Sequence, residues 1–457
     1  MAMTRKTKLK WAALAGGLVS WWSVMSGVAL AEAARPDLIF ILADDLGWAD
    51  VGCYGGKTPT PHIDRLAREG LRFTQFYANG PECSPTRTAF LTGRYQQRVG
   101  GLECAIGNGN VGRYDDAIRL REKNELGLPV QETSLARLLK DAGYRTVIAG
   151  KWHLGYEPKF FPGPHGFDHW FGPIGGGADY FHHVEPEGLA VLHLNGAPVK
   201  RDGYMTDLIT AEAVRQIHLR RSEPLFLYAA YTAPHTPIQG PNDRRDQPVT
   251  PEDWNKGTPE AYAAMIRRLD DGVGEILRAL ETRGLTNALV VFTSDNGGTK
   301  MANNGPLAGN KGTLFEGGIR VPCIARWPGI LPAGAVSEQV GITMDWTVSF
   351  ARLAQTRPPA GRPFDGLDLL EKAVAGKPPE PRTLFWRARR GEVTWRAMRA
   401  GSLKLVSKQT GVKVEEHLFD LERDLSEKND LVSQRPDDVL RLKERLAHWE
   451  NEVKPVR

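Results

Sequence analysis

Leu38-Ile39-Phe40-Ile41-Leu42-Ala43, running straight into Asp44-Asp45, is the stretch that decides the fold. Six apolar residues without alternation are what a strand buried on both faces looks like. Such strands belong to parallel sheets covered by helices. The same arrangement recurs along the chain. Residues 144–149 run into Gly150-Lys151-Trp152-His153, residues 224–231 end near His235, and residues 288–294 end in Asp295-Asn296. Helical segments lie between them. Thr60 caps and Pro61 opens one that Gly70 stops; others run from Ser134 to Gly143, over 206–221, and from Thr258-Pro259 to Gly284. The strand spacings are too long for hairpins. The expected fold class is therefore α/β, a large, mostly parallel sheet sandwiched by helices. In such sheets the working residues gather beyond the carboxyl ends of the strands, where every polar cluster named above falls.

A second stretch carries the chemistry: Cys83-Ser-Pro-Thr-Arg87, continuing as Thr88-Ala89-Phe90-Leu91-Thr92-Gly93-Arg94. It follows an apolar strand over 71–78 and the polar loop Asn79-Gly80-Pro81-Glu82. Pro85 suits an early helical position, which puts Cys83 at a helix N-terminus one turn from Arg87. Helix dipole and guanidinium both favour an anion there and would acidify a thiol. A buried, inert cysteine at a strand-to-helix turn is the plain alternative. Asp44, Asp45, Asp295 and Asn296 offer four hard oxygen side chains. If their strand ends converge, they suit Ca²⁺, Mg²⁺ less well, and not Zn²⁺. Taken singly, each pair reads as a turn or helix cap. A thiolate would be a poor further ligand for such an ion. Lys151, His153, His235 and Lys311 stand where cations or proton carriers could face the same place, although each alone reads as a loop residue.

The 457 residues, 41% hydrophobic, suffice for one large core and a smaller domain. The net charge of +5 suits an anionic substrate but is too diffuse to imply nucleic acid. Arg5, Lys6, Lys8 and Lys10 precede an apolar run over 11–30 that ends at Ala29-Leu30-Ala31, the pattern of a secretory signal peptide. An uncleaved anchor is the alternative. The expected location is periplasmic or extracellular, or a lysosome-like compartment in a eukaryote, with no membrane association after cleavage. Residues 100–127 read as a polar surface loop. Residues 155–202 lack periodicity, and long segments of that kind are usually functional. Within them, residues 175–183 are expected to line a substrate pocket through Asp179, Tyr180, His182 and His183. Around 356–382 the chain turns Pro-rich. Beyond it, residues 383–389, 393–400 and 403–407 alternate like antiparallel strands, and a helix follows over 437–452. The expected division is a signal peptide over 1–31, a main domain over 32–375 and a small sheet-plus-helix domain over 376–457. With Cys83 reserved for chemistry, at most one disulfide can form among Cys53, Cys104 and Cys323.

Cys-x-Pro-x-Arg followed by Leu-Thr-Gly-Arg resembles the signature of the sulfatase family. So do, in the family's order, Asp-Asp after the first strand, Gly-Lys-Trp-His-Leu-Gly, Pro-His after Tyr-Thr-Ala, Ser-Asp-Asn-Gly-Gly and Lys-Gly-Thr-x-x-Glu-Gly-Gly. The nearest flavour is the arylsulfatase A and N-acetylgalactosamine-6-sulfatase type. The resemblance implies an alkaline-phosphatase-like fold and hydrolysis of a sulfate ester of a small molecule or saccharide. It implies that Cys83 is oxidised to Cα-formylglycine by a formylglycine-generating or anaerobic sulfatase-maturating enzyme. It implies that Asp44, Asp45, Asp295, Asn296 and the modified Cys83 bind Ca²⁺. Arg87, Lys151 and His153 would then hold the formylglycine hydrate, and His235 and Lys311 the sulfate. His235 is the first candidate for the acid that protonates the leaving alcohol, and Lys311 the next. A phosphodiesterase or phosphonate monoester hydrolase can share the fold and the cysteine motif. A dead scaffold used for binding is the remaining rival.

Overall fold

Four parallel strands lie side by side at the centre, in the order Ala288–Ser294, Asp37–Ala43, Leu225–Ala230, Arg145–Gly150. The structure, a computed structural model, describes residues 35–107, 114–374 and 379–455. The expected signal peptide therefore lies outside the described residues, as do residues 376–378 beside the expected domain boundary. No described helix is long and apolar enough to cross a membrane.

Every residue of Asp37–Ala43 and of Ala288–Ser294 is buried, as their unbroken apolar runs require. The parallel centre continues through His169–Pro173, beside Arg145–Gly150. The flanks are antiparallel except at one edge, where Ala335–Ser337 runs parallel to Leu71–Phe73. Cys323–Arg326 runs against both Ala288–Ser294 and Leu71–Phe73. Leu192–Leu194 pairs with His169–Pro173 on one side and Ala197–Pro198 on the other. Ala335–Ser337 closes the first edge. The ten-stranded sheet is thus mixed, and its four central parallel strands are those that carry the polar clusters. His169–Pro173 and the flanking strands Leu192–Leu194 and Ala197–Pro198 come from residues 155–202, where segments this short left no periodicity to read.

Helices cover the faces. Pro259–Thr282 starts at a Thr258 side chain that accepts the Ala261 N–H, with Pro259 at its first position. It packs against Met205–His218 and Pro61–Glu69. Cys83–Thr92 is different, because all ten of its residues are buried. Phe90 stacks on Phe40 of the central strand at 3.9 Å between ring centroids, which locks the helix beneath the sheet. The strand expected over 71–78 is two short ones, Leu71–Phe73 and Phe76–Tyr77, the second paired with Gly341–Ile342.

The C-terminal part is a four-stranded antiparallel meander, Thr383–Arg390, Val393–Ala400, Leu403–Thr410 and Lys413–Asp420, with the helix Pro436–Glu452. The fourth strand was not expected; its charged start (Lys413, Glu415, Glu416) hides the alternation. Polar ties join this sheet to the rest. The Trp386 indole N–H donates to the Ala78 carbonyl at 2.8 Å, and Arg399 donates to the Tyr77 hydroxyl at 2.6 Å. Residues 100–127 are not a plain loop: Asp115–Glu122 is helical, and Leu102, Cys104, Ile106, Tyr114, Ala117 and Leu120 are buried.

Candidate active site

The four central strands deliver their next residues to one place. Asp44 and Asp45 follow the first, Lys151 and His153 follow Arg145–Gly150, His235 lies five residues past Leu225–Ala230, and Asp295 and Asn296 follow Ala288–Ser294. Two glycines let the backbones come close. At Gly150 a Cβ would lie 1.8 Å from the Ala230 carbonyl oxygen, and φ is +123°. At Gly297 it would lie 1.9 Å from the Gly317 carbonyl oxygen, where the loop of Asn296 meets the loop of Lys311.

Cys83 sits at the start of its helix, fully buried. Its thiol donates to Asp44 Oδ1 at 3.2 Å, and Lys311 Nζ stands 3.8 Å from its sulfur. Lys151 Nζ donates to Asp44 Oδ2 at 2.6 Å. Asp45 adopts φ 67°, a left-handed conformation that its own N–H helps hold by donating to Asp295 Oδ1 at 3.2 Å. Its carboxylate accepts from Asn296 Nδ2 at 2.8 Å and from Lys311 Nζ at 2.7 Å. The Arg87 guanidinium grips Asp295 Oδ2 through Nε and Nη2, at 3.0 and 2.8 Å, and donates to the Lys151 carbonyl at 3.0 Å. Three carboxylates and three cations thus interlock, all fully buried except Lys311, which reaches the cavity. Removing either member of the Arg87–Asp295 pair would leave a buried charge, at a cost of about 3–5 kcal/mol.

The thiol is not acidified. Burial, with Asp295 and Asp44 beside it, pushes Cys83 well above the ordinary thiol range, and Lys151 and Lys311 do not offset this. The expectation from the helix dipole fails because burial, and after it the adjacent carboxylates, outweigh it. Burial raises Asp45 as well, but Lys311, His235 and the Asn296 hydrogen bond outweigh it and hold the carboxyl at about 2.

The two histidines have defined proton positions. His235 Nδ1 lies 2.7 Å from the Thr236 carbonyl, which can only accept, so the proton is on Nδ1 and Nε2 faces Asp45 Oδ2 at 3.7 Å. Burial and then Lys311 lower its pKa to about 4. His153, at φ 57°, directs Nε2 to the Ile106 carbonyl, and its buried Nδ1 has no hydrogen-bond partner among the described residues. Burial and Lys151 hold it neutral.

Asp44, Asp45, Cys83 and His235 present ligand atoms all within 4.8 Å of one another. Beside them, the Asn296 side-chain oxygen is buried and lacks a hydrogen-bond partner among the described residues. An orphaned buried amide oxygen among carboxylates is what a hard cation would satisfy, so the donor set fits such an ion.

An open cavity of about 710 Å³ leads to this cluster, bordered by Cys83, His153, His235 and Lys311. From residues 175–183 it takes only Gly176 and Gly177. The four polar side chains expected there are engaged elsewhere. Asp179 accepts the N–H groups of Phe181, His182 and Val249 and the His182 ring. The Tyr180 hydroxyl lies 2.8 and 3.0 Å from the carbonyls of Thr232 and His235, and His183 bonds the Gly203 carbonyl. The segment braces the His235 turn, and these four residues do not border the cavity. The walls sequence reasoning missed are Glu82, Ile106, Tyr156, Glu185, Trp254 and a group from the C-terminal sheet. The basic pair Arg389-Arg390 before Gly391 was the one available signal. All four cysteines are free thiols.

Cys83 is thus buried among carboxylates, lysines and an arginine at the carboxyl ends of parallel strands, a setting that suits hydrolysis of tetrahedral anion esters. The family described as Sulfatase matches residues 36–356. The chain is 37% identical over 387 residues to N-acetylgalactosamine-6-sulfatase of Rattus norvegicus, covering 77% of this chain and 69% of that protein. It is 34% identical over 358 residues to arylsulfatase J of Mus musculus, covering 76% and 57%. Among solved structures, Ps i-CgsB in complex with k-i-k-neocarrahexaose superposes with a TM-score of 0.78 at 32% identity, over 91% of this chain and 93% of that one. The chain belongs to the sulfatase family and is a sulfuric ester hydrolase.

Proposed function

We propose that the protein is an exported sulfatase that removes sulfate from a carbohydrate, using Cys83 as Cα-formylglycine and Ca²⁺ held by Asp44, Asp45, Asp295 and Asn296. The observation that carries this reading is the Cys83 environment. A thiol pushed well above its ordinary range is a poor nucleophile, and its carboxylate neighbours suit a cation bound through oxygen. The ion would supply positive charge against the developing negative charge of the reaction.

The chain's own residues divide the remaining work. One hydroxyl of the hydrated aldehyde at residue 83 attacks sulfur as the bond from sulfur to the ester oxygen breaks in line, and the proton that the hydroxyl gives up balances the one that the ester oxygen takes up as it leaves as the alcohol. Lys151, Lys311 and Arg87 concentrate positive charge around the sulfate oxygens and the nucleophile. Sulfate, now bonded to residue 83, departs when the second hydroxyl gives up its proton and its oxygen closes the carbonyl. His153 suits that proton, being neutral, with an unpartnered Nδ1. Relatives named for N-acetylgalactosamine 6-sulfate and a neighbour complexed with a carrahexaose favour a saccharide substrate.

The test is to coexpress the chain with a formylglycine-generating enzyme, then measure residue 83 by peptide mass spectrometry, bound metal by elemental analysis, and sulfate release. The reading expects an aldehyde at residue 83, one calcium per chain, and turnover abolished by Cys83→Ala. An active enzyme with an unmodified, alkylatable Cys83, or one with stoichiometric zinc, would overturn it. Faster hydrolysis of a phosphodiester than of any sulfate would favour the phosphodiesterase rival.

A further inference from the structure

A departing sugar alkoxide needs a proton, and the groups packed around Cys83 are poorly placed to give one. The His235 proton is committed to the Thr236 carbonyl, and Lys151 donates to Asp44. Lys311 donates to Asp45; burial would lower it, but Asp45, Cys83 and Asp44 outweigh burial and hold it well above the ordinary lysine range. Glu185, which also borders the cavity, is in a different state.

Glu185 is 4% exposed and sits at the base of a small turn. Val184 bridges to Ala190, the Glu185 N–H donates to the Leu189 carbonyl at 2.9 Å, and its carbonyl accepts the Gly188 N–H at 2.8 Å. The backbone that carries the side chain is therefore fixed. Oε1 accepts from the Tyr156 hydroxyl at 2.6 Å and from the Gly176 N–H at 3.1 Å. Oε2 is buried and has no hydrogen-bond partner among the described residues. With Oε1 occupied as an acceptor, a neutral carboxyl keeps its proton on Oε2, free for an incoming group. Three consecutive glycines bring this carboxyl up to the reacting centre. A Cβ at Gly175 would lie 1.9 Å from Glu185 Oε1, one at Gly176 2.7 Å from His153 Nε2, and one at Gly177 3.1 Å from the His235 ring. Adjacent α-carbons are about 3.8 Å apart, so the carboxyl is held close to both imidazoles. Burial lifts Glu185 above the ordinary glutamate range; the Tyr156 and Gly176 hydrogen bonds and Lys151 offset part of this, and Glu187 adds to it.

We propose that Glu185 is the acid of the first step: Oε2 carries the proton that passes to the ester oxygen as the bond from sulfur to that oxygen breaks. The alcohol leaves neutral, and Glu185 is left as a carboxylate that Tyr156 and the Gly176 N–H stabilise. Water in the open cavity returns a proton to it before the next turnover, balancing the one that the attacking hydroxyl released. Before the step, a neutral carboxyl also tolerates the negative sulfate, which a carboxylate would repel. This rests on the sulfatase reading above, and the experiment separates the two.

Matured enzyme is assayed on N-acetylgalactosamine 6-sulfate, phenyl sulfate and 4-nitrophenyl sulfate, whose leaving groups need a proton less and less in that order. Glu185→Gln keeps the shape and an oxygen for the Tyr156 hydroxyl but has no acidic proton. Its kcat is expected to fall by about 10²–10⁴-fold on the sugar sulfate, the size typical of acid catalysis, and by progressively less along the series. The wild-type kcat/KM on the sugar should drop at high pH as Glu185 deprotonates, a drop absent with 4-nitrophenyl sulfate. Tyr156→Phe removes a bond that favours the carboxylate, so it should move that drop to higher pH. These last two readings stand whether or not the glutamine variant folds. If the sugar is not turned over, the phenyl and 4-nitrophenyl pair gives the same comparison. Equal loss on all substrates, a rise in KM with kcat intact, or the same high-pH drop for every leaving group overturns the assignment and leaves the sulfatase intact. Failure of the wild type to turn over any of the three overturns the sulfatase reading itself.

Discussion

Replacing Lys404 by Met tests how far the C-terminal sheet supports the reacting centre. Lys404 is fully buried, and its ammonium donates to Glu316 Oε1 at 2.8 Å and to Glu427 Oε1 at 2.9 Å. Glu316 also accepts from Arg320 at 3.1 Å and from the Tyr77 hydroxyl at 2.7 Å. Glu427 accepts the Glu316 N–H at 2.6 Å. The network clamps the end of the loop that carries Lys311. Methionine keeps the volume but leaves two buried carboxylates with too little positive charge, a loss of about 3–5 kcal/mol. Equilibrium urea unfolding at pH 7 measures it. Lys404→Met/Glu427→Gln removes one orphaned charge while keeping an acceptor for the Glu316 N–H, so it should recover a large part of the loss. The pH dependence has a definite sign. Burial raises Glu316, but Lys404, Arg320 and Arg399 outweigh it and depress the carboxyl from 4.5 to about 2. Its contribution is present above about pH 4.5 and fades as the pH falls toward 2, worth at most about 3 kcal/mol. Glu427 moves the other way, pushed up by burial and by the Glu316 charge, so the pair contributes less than Glu316 alone. In Lys404→Met the stranded carboxyls can protonate, and the penalty should shrink between pH 7 and pH 5. A single-variant loss below about 1 kcal/mol, or a double variant no better than the single, would refute the account.

His235→Ala is expected to slow a carbohydrate sulfate and nitrophenyl sulfate by similar factors. The one proton on the neutral ring is committed to the Thr236 carbonyl, and burial and Lys311 hold the pKa at about 4. A loss confined to the carbohydrate, of the roughly 10²–10⁴-fold size typical of acid catalysis, would restore His235 as the proton donor. In unmatured, folded protein at pH 8, Cys83 and Cys53 should resist iodoacetamide, since burial lifts Cys83 well above its usual range and lifts Cys53 to about 12; rapid native-state labelling of either would contradict this. Asp179→Ala should lower thermal stability and damage both substrates alike by loosening the His235 turn. A defect specific to the sugar substrate would return Asp179 to the pocket wall.

The convergence of Asp44, Lys151, His235 and Asp295 was legible because each follows an unbroken apolar strand, and strand ends converge in a parallel sheet whatever the loops do. Asp44, Lys151, His235 and Asp295 are far apart in sequence, yet four adjacent strands determine their order in space. The thiol's behaviour was not legible. A helix N-terminus can be read from Pro85, but the carboxylates that reverse its effect arrive from other strands at distances no sequence prints. The pocket was misassigned for a related reason. The Gly-Gly-Gly-Ala-Asp-Tyr-Phe-His-His segment is rich in groups that bind sugars, but those groups equally satisfy a turn's own backbone, and Asp179 does so several times over. The actual wall came from strands whose alternation looks like ordinary half-buried sheet. Lys408 and Trp395 lie thirteen residues apart and become neighbours only through the register of a meander, while Glu82 and Arg390 become neighbours only when the C-terminal sheet docks. The cavity wall is therefore assembled by long-range packing, whereas the polar cluster is assembled by strand order. That is why the class of reaction could be read from the chain and the shape of the substrate could not.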